Sequence, residues 1–137
     1  MANAGTNDKE SALVTDTLAA GSHLMLNRPY ALNALDASLI QELYRHVAHL
    51  QVSRRAQQFI ISGTGTRAFS AGADIKAIYH QGLAWLDGAQ DRDPYHSFFA
   101  PEYGLDAALY HLAQPKTAIM DGIVMGGGYG LAAPCDV

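Results

Sequence analysis

Two short apolar runs in this 137-residue chain each lead into a glycine-rich turn, and that arrangement constrains fold and chemistry more than any other feature. Phe59-Ile60-Ile61-Ser62 reads as a strand stopped by Gly63-Thr64-Gly65-Thr66, and the turn Phe69-Ser70-Ala71-Gly72-Ala73-Asp74-Ile75 follows. Thr117-Ala118-Ile119-Met120 reads as a buried strand leading to Gly122 and then to Met125-Gly126-Gly127-Gly128-Tyr129-Gly130. Glycine removes the side chain, so at such turns the backbone can approach a ligand closely. A helix starting there also presents unpaired amides and the positive end of its dipole. Two turns facing each other could place one amide each around a single oxygen, forming an oxyanion hole, with the amides of Ala73 and Gly127 as candidates. Glycine-rich turns are more often only turns. The triple glycine argues for more, because glycine inside a helix is destabilising by roughly 0.5–1 kcal/mol relative to alanine.

The rest of the chain supplies a mixed α/β pattern. Residues 1–11 read as a flexible tail, and residues 12–137 as one domain. Leu13-Val14-Thr15 and His23-Leu24-Met25-Leu26 are β-prone runs on either side of Ala20-Gly21, a hairpin signal. Asn27-Arg28-Pro29 breaks the second strand, since proline lacks an amide donor and restricts its predecessor. From Asp36 the spacing turns helical, with Ile40, Leu43, Val47 and Leu50 on one face and Ser38/Gln41 at capping-box spacing. Ala77 to Asp93 is expected to be helix and loop interrupted at Gly82 and Gly88, and a helix is expected from Glu102 to Ala113, ended by Pro115. No internal repeat is evident. Cys135-Asp136-Val137 reads as a helix end entering a further strand, which suggests that more protein follows.

Several functions can be set aside. The net charge of −4 is scattered, without the basic patch that phosphate backbones require, so no nucleic-acid partner is expected. No apolar run approaches the roughly 20 residues needed to span a bilayer. The single cysteine, Cys135, cannot form an internal disulfide and reads as core rather than nucleophile. With a polar start that lacks a signal peptide's apolar segment, these features lead to the expectation of a cytoplasmic protein. His46 and His49 flank the first helix as a solvated face rather than a metal pair, and no metal site is expected. Gly63-Thr64-Gly65-Thr66-Arg67-Ala68 matches the dinucleotide fingerprint, but Phe69 to Gly72 does not continue as the helix that fingerprint requires. There is no phosphate loop and no nucleophile elbow.

Four segments, in order, resemble the signatures of the enoyl-CoA hydratase/isomerase (crotonase) superfamily. They are Asn27-Arg28-Pro29, Leu32-Asn33-Ala34-Leu35, Ala68 through Lys76, and Asp121-Gly122 with Met125 through Gly128. The resemblance covers about residues 12–137 and implies a spiral of ββα units, incomplete at its C-terminal side. It also implies an acyl-CoA substrate, no separate cofactor because coenzyme A is part of that substrate, and assembly as trimers or hexamers. It places the oxyanion amides on Ala73 and Gly127. Coenzyme A contacts fall on Arg28, Tyr30, Leu32, Ala71, Ala73, Asp74 and Ile75. Hydratases of the family carry a glutamate where this chain has Gly130, whereas the run Gly126 to Leu131 and the segment Ser97 to Tyr103 resemble the branch that hydrolyses 3-hydroxyisobutyryl-CoA in valine breakdown. In that branch the residue matching Glu102 contacts substrate; the residues alone would read Glu102 as a solvated carboxylate at a helix start. The branch's acid/base glutamate and aspartate match positions beyond Val137, so the 137-residue chain by itself is expected to be inactive as a thioesterase. Two alternatives stay open: a hydratase or isomerase acting on another acyl-CoA, and a truncated product without catalysis.

Overall fold

A computed structural model describes residues 11–53 and 57–137. Apart from Ser11, the tail expected over residues 1–11 lies outside the described residues. The chain builds three successive ββα units. The first is β1 (Leu13–Leu18), β2 (Gly21–Leu26) and helix α1 (Ala37–Val52). The second is β3 (Gln58–Gly63), β4 (Ala68–Ser70) and α2 (Ile75–Leu86), extended by a π-helical turn at Tyr95–Phe99 and by α3 (Ala100–His111). The third is β5 (Lys116–Ile119), β6 (Ile123–Val124) and α4 (Gly127–Ala132). This is the spiral of ββα units that the resemblance implied. Its repetition is structural and leaves no repeat in the sequence.

Each unit sends its strands into the same two places. One sheet has the order β1-β2-β3-β5, with the hairpin antiparallel and the other pairs parallel; β4 and β6 pair parallel in a second, smaller sheet. Advancing along the spiral therefore stacks corresponding turns beside one another. That stacking brings the two glycine-rich turns together.

Between the layers lies a core of Leu24, Leu26, Leu39, Ile40, Leu43, Phe59, Ile61, Phe69, Phe98, Leu105 and Leu109, each at most 1% exposed. Burying each such side chain contributes about 1.5–3 kcal/mol, which is what holds the thin second sheet against the helices. The expected face of α1 (Ile40, Leu43, Val47, Leu50) is buried as its spacing requires. Its cap differs from expectation. Asp36, in extended conformation, accepts the Leu39 N–H at 2.9 Å, and the Ser38/Gln41 spacing falls inside the helix and is not used.

Other boundaries also moved. Helix α2 starts on the glycine-rich turn itself, where Asp74 accepts the Ala77 N–H at 3.1 Å. Gly82 does not interrupt α2; Gly88, at φ +72°, lies just beyond the helix end. Helix α3 begins at Ala100, two residues before Glu102, because Pro101 fits a first turn where its missing N–H is not needed. Of the expected buried strand Thr117 to Met120, β5 takes in residues only as far as Ile119, and with Ile119 and Met120 50% and 52% exposed the expectation of burial holds for Ala118 alone among its apolar residues. Asp136 donates its N–H to the Lys116 carbonyl and Val137 accepts from the Ala118 N–H, so these residues lie beside β5 without forming the further strand that was expected. Among the described residues no helix is long and apolar enough to cross a membrane.

Candidate active site

The break at Asn27-Arg28-Pro29 becomes a 3-10 turn at Pro29–Ala31, after which Leu32 and Asn33 both take left-handed backbone, φ 53° and 52°. Asn33 is fully buried and ties three segments together. Its Oδ1 accepts the Arg28 N–H at 2.9 Å, and its Nδ2 donates to the Thr64 and Ala68 carbonyls at 3.0 and 2.8 Å. The Ser70 hydroxyl returns a bond to the Asn33 carbonyl at 2.8 Å. One amide side chain thus holds the start of the first glycine-rich turn, a role the sequence reading missed. The signal was there: an asparagine inside an apolar Leu-Asn-Ala-Leu run, a residue that tolerates left-handed backbone and brings both donors and an acceptor.

Arg28 lies beside it. The guanidinium donates to the Ala34 carbonyl at 2.6 Å, pairs with Asp74 at 2.9 Å and lies 3.5 Å from Asp36. Burial opposes its charge, but bonds to Tyr30 and Asp74 outweigh that and raise its pKa. Burial likewise works against the Asp74 carboxylate, and the Ala77 N–H together with Arg28 overcomes it, leaving Asp74 below the usual range. Arg28 therefore locks the α1 and α2 caps to each other, and its charge is committed inside the protein.

The two glycine-rich turns meet directly. Gly72 sits at φ +86°, and a Cβ there would come within 2.6 Å of the Met125 carbonyl and 3.0 Å of the Gly127 nitrogen. Met125 donates to the Ser70 carbonyl at 3.1 Å, which pins one turn to the other. Leu35 brackets Ala73, donating to the Gly72 carbonyl and accepting from the Asp74 N–H, so the Ala73 N–H faces away from that bridge. Neither the Ala73 nor the Gly127 N–H donates a hydrogen bond among the described residues.

Beside these amides is a cavity of about 520 Å³, lined by Ala71, Ala73, Ile75, Phe99, Glu102, Tyr103, Asp106, Met125, Gly126, Gly127 and Gly130. Glu102 is 6% exposed, so the solvated-carboxylate reading does not stand. Its carboxylate takes up the space that a side chain on Gly127 would need, and the Asp106 carboxylate does the same at Gly130, within 2.7 Å of where a Cβ would be. Burial pushes both carboxyls above the usual range, and for Glu102 the neighbouring Asp106 adds to the effect. Asp106 escaped the sequence reading because only the packing of α3 on α4 brings it to the cavity.

A second cleft of about 610 Å³ gathers six of the seven expected coenzyme A positions: Arg28, Tyr30, Leu32, Ala73, Asp74 and Ile75. The seventh, Ala71, lines the first cavity; Ala73 and Ile75 line both. Arg67 and Lys76, which the sequence reading did not select, add exposed positive charge to this cleft. Elsewhere, burial raises the Cys135 thiol, consistent with an unreactive cysteine. His46 is half-buried and His49 exposed, and among the described residues no cluster of three potential metal ligands occurs.

Comparisons with known proteins agree on ancestry. Residues 22–137 match the model of the enoyl-CoA hydratase/isomerase family. The mitochondrial 3-hydroxyisobutyryl-CoA hydrolase of Gallus gallus is 40% identical over 109 residues, covering 80% of this chain and 27% of the relative. Small ribosomal subunit protein mS47 of Schizosaccharomyces pombe is 41% identical over 107 residues, covering 78% of this chain and 24% of its own length. The crystal structure of a carnitinyl-CoA dehydratase from Mycobacterium thermoresistibile superposes with a TM-score of 0.80 at 33% identity, over 92% of this chain and 35% of that one. The chain thus spans about a quarter of the length of the curated relatives it matches. The expectation of a cytoplasmic protein is overturned by these relatives, because the hydrolases carry a mitochondrial designation; the polar start and lone cysteine carried no information on organelle. With the match spanning all three ββα units from β2 onward, the chain belongs to the enoyl-CoA hydratase/isomerase family.

Proposed function

We propose that this chain forms the oxyanion-bearing part of an acyl-CoA thioester hydrolase of the 3-hydroxyisobutyryl-CoA type, working in valine breakdown in mitochondria. The observation that carries the reading is the contact of the two glycine-rich turns, Gly72 against the Gly127 nitrogen, beside a cavity that also holds Glu102. The thioester carbonyl oxygen would accept from the Ala73 and Gly127 N–H groups, which stabilise the negative charge that develops as water adds to the carbonyl carbon. Glu102 would contact the acyl group. The coenzyme moiety would lie in the cleft of Tyr30, Leu32, Asp74 and Ile75, with Arg67 and Lys76 meeting its phosphates, and the protein would assemble as trimers or hexamers.

Gly130 supports hydrolysis over hydration. It offers no carboxylate, and Asp106 fills the space where a side chain would begin. Replacing the Gly127 peptide N–H by an ester oxygen in the full-length protein removes the donor without adding a side chain. We expect kcat for 3-hydroxyisobutyryl-CoA to fall about 10²–10³-fold. Unchanged kcat removes Gly127 from the mechanism, and hydration of enoyl-CoA esters without thioester hydrolysis replaces this reading with the hydratase one. The mS47 relatives favour a second reading, a ribosomal component without catalysis, which co-sedimentation with ribosomal subunits together with failure to bind any CoA ester would establish.

A further inference from the structure

The acyl cavity holds one polar feature that the oxyanion chemistry leaves unused. Glu102 and Asp106 stand one helical turn apart on α3, and both line the cavity. Each lies against a glycine of α4, Glu102 at Gly127 and Asp106 at Gly130, so the two carboxyls and the candidate donor N–H share one wall. Glu102 is more than nine-tenths buried and makes no hydrogen bond among the described residues. Asp106 lines the same cavity and also has no hydrogen-bond partner among them. Buried carboxyls are ordinarily hydrogen-bonded, because an unmet buried polar group is costly. Two such groups side by side in a cavity point to a ligand that bonds them.

We propose that Asp106 is a specificity-determining residue, forming with Glu102 a two-carboxyl wall that recognises a hydroxyl on the acyl chain of the bound thioester. This rests on the acyl-CoA reading above. A hydroxyl can donate to an ionised carboxylate and accept from a protonated carboxyl, so it can bond the pair in either state. A hydrocarbon acyl chain leaves the wall unmet, and a site built around a substrate hydroxyl discriminates strongly against the analogue that lacks it. Gly130 is part of the device, because any side chain there would displace the Asp106 carboxyl.

The test measures, by calorimetric titration of the full-length protein, the binding of 3-hydroxyisobutyryl and isobutyryl dethia-CoA. These are ketone analogues that keep the carbonyl oxygen and resist hydrolysis. The wild type should prefer the hydroxyl-bearing analogue at least about tenfold. Asp106→Ala should bring the preference within about threefold, weakening the hydroxyl-bearing analogue more than the isobutyryl one, and Asp106→Asn, which keeps an acceptor oxygen of the same shape, should retain most of the preference. A tenfold preference surviving in Asp106→Ala, or equal weakening of both analogues, overturns the assignment. If both bind and the wild type shows no preference, only this inference falls; if neither binds, the acyl-CoA reading falls with it.

Discussion

Replacing Asn33 by alanine should be among the most damaging single changes in this chain, although Asn33 touches neither cavity's catalytic wall. Three bonds are lost. The one to the Ala68 carbonyl is buried, and leaving such an acceptor unmet costs about 1–3 kcal/mol. Those to the Thr64 carbonyl and from the Arg28 N–H are partly buried, worth about 0.5–1.5 kcal/mol each. Alanine must also hold φ 52°, a left-handed conformation that asparagine tolerates and that costs other L-residues about 1–2 kcal/mol. The sum centres on about 5.5 kcal/mol, beyond what most single substitutions do and a large part of an ordinary domain's stability. Equilibrium unfolding in urea reads this directly, as a midpoint lower by roughly 3 M with an unchanged slope of about 2 kcal/mol/M. Asn33→Gly should recover the conformational part only. Asn33→Asp keeps the acceptor for Arg28 but turns an oxygen toward the Thr64 and Ala68 carbonyls, so it folds best protonated. Its folded pKa is then raised, and its stability is present at low pH and lost as pH rises through that value. A loss below about 1 kcal/mol for Asn33→Ala would refute the claim that this side chain holds the turn.

Asp74→Asn should keep the α2 cap but lose the charge opposite Arg28, whereas Asp74→Ala loses both; we expect about 1 kcal/mol between them in chemical unfolding, and equality would remove the capping role. Gly72→Ala combines φ +86° with a Cβ 2.6 Å from the Met125 carbonyl, so the melting temperature should fall by an amount matching about 2–4 kcal/mol, a thermal shift near zero being the contrary result. Because burial raises Glu102 and Asp106, the pair contributes stability that is fully present below their unfolded pKa values and lost as pH rises through the folded ones. The stability of the wild type relative to Glu102→Gln/Asp106→Asn should therefore improve between about pH 7 and about pH 4.5, and a flat difference would show that neither carboxyl is shifted.

Periodicity and turn chemistry alone located the hairpin, the buried face of α1, strand β3 and both glycine-rich turns, because each is set by residues within a few positions of one another. Local rules erred where two signals competed. Asp36 captured the α1 cap that the Ser38/Gln41 spacing advertised, and α2 grew out of the Asp74 turn and ran through Gly82. Ala73 and Gly127 could be singled out as candidates from their glycine neighbours, since a backbone donor needs only a bare turn. Whether those turns face each other was decided by the spiral, which sets β4 beside β6 and so carries Gly72 to within contact of Gly127. The carboxyl wall belongs to tertiary structure: the family resemblance alone singled out Glu102 and nothing in the sequence singled out Asp106, and it is the packing of α3 on α4 that lets the bare faces of Gly127 and Gly130 receive both. Chain-local geometry fixes dihedrals and faces; the electrostatic surroundings of a carboxyl depend on which distant segment covers it, and only the folded molecule settles that.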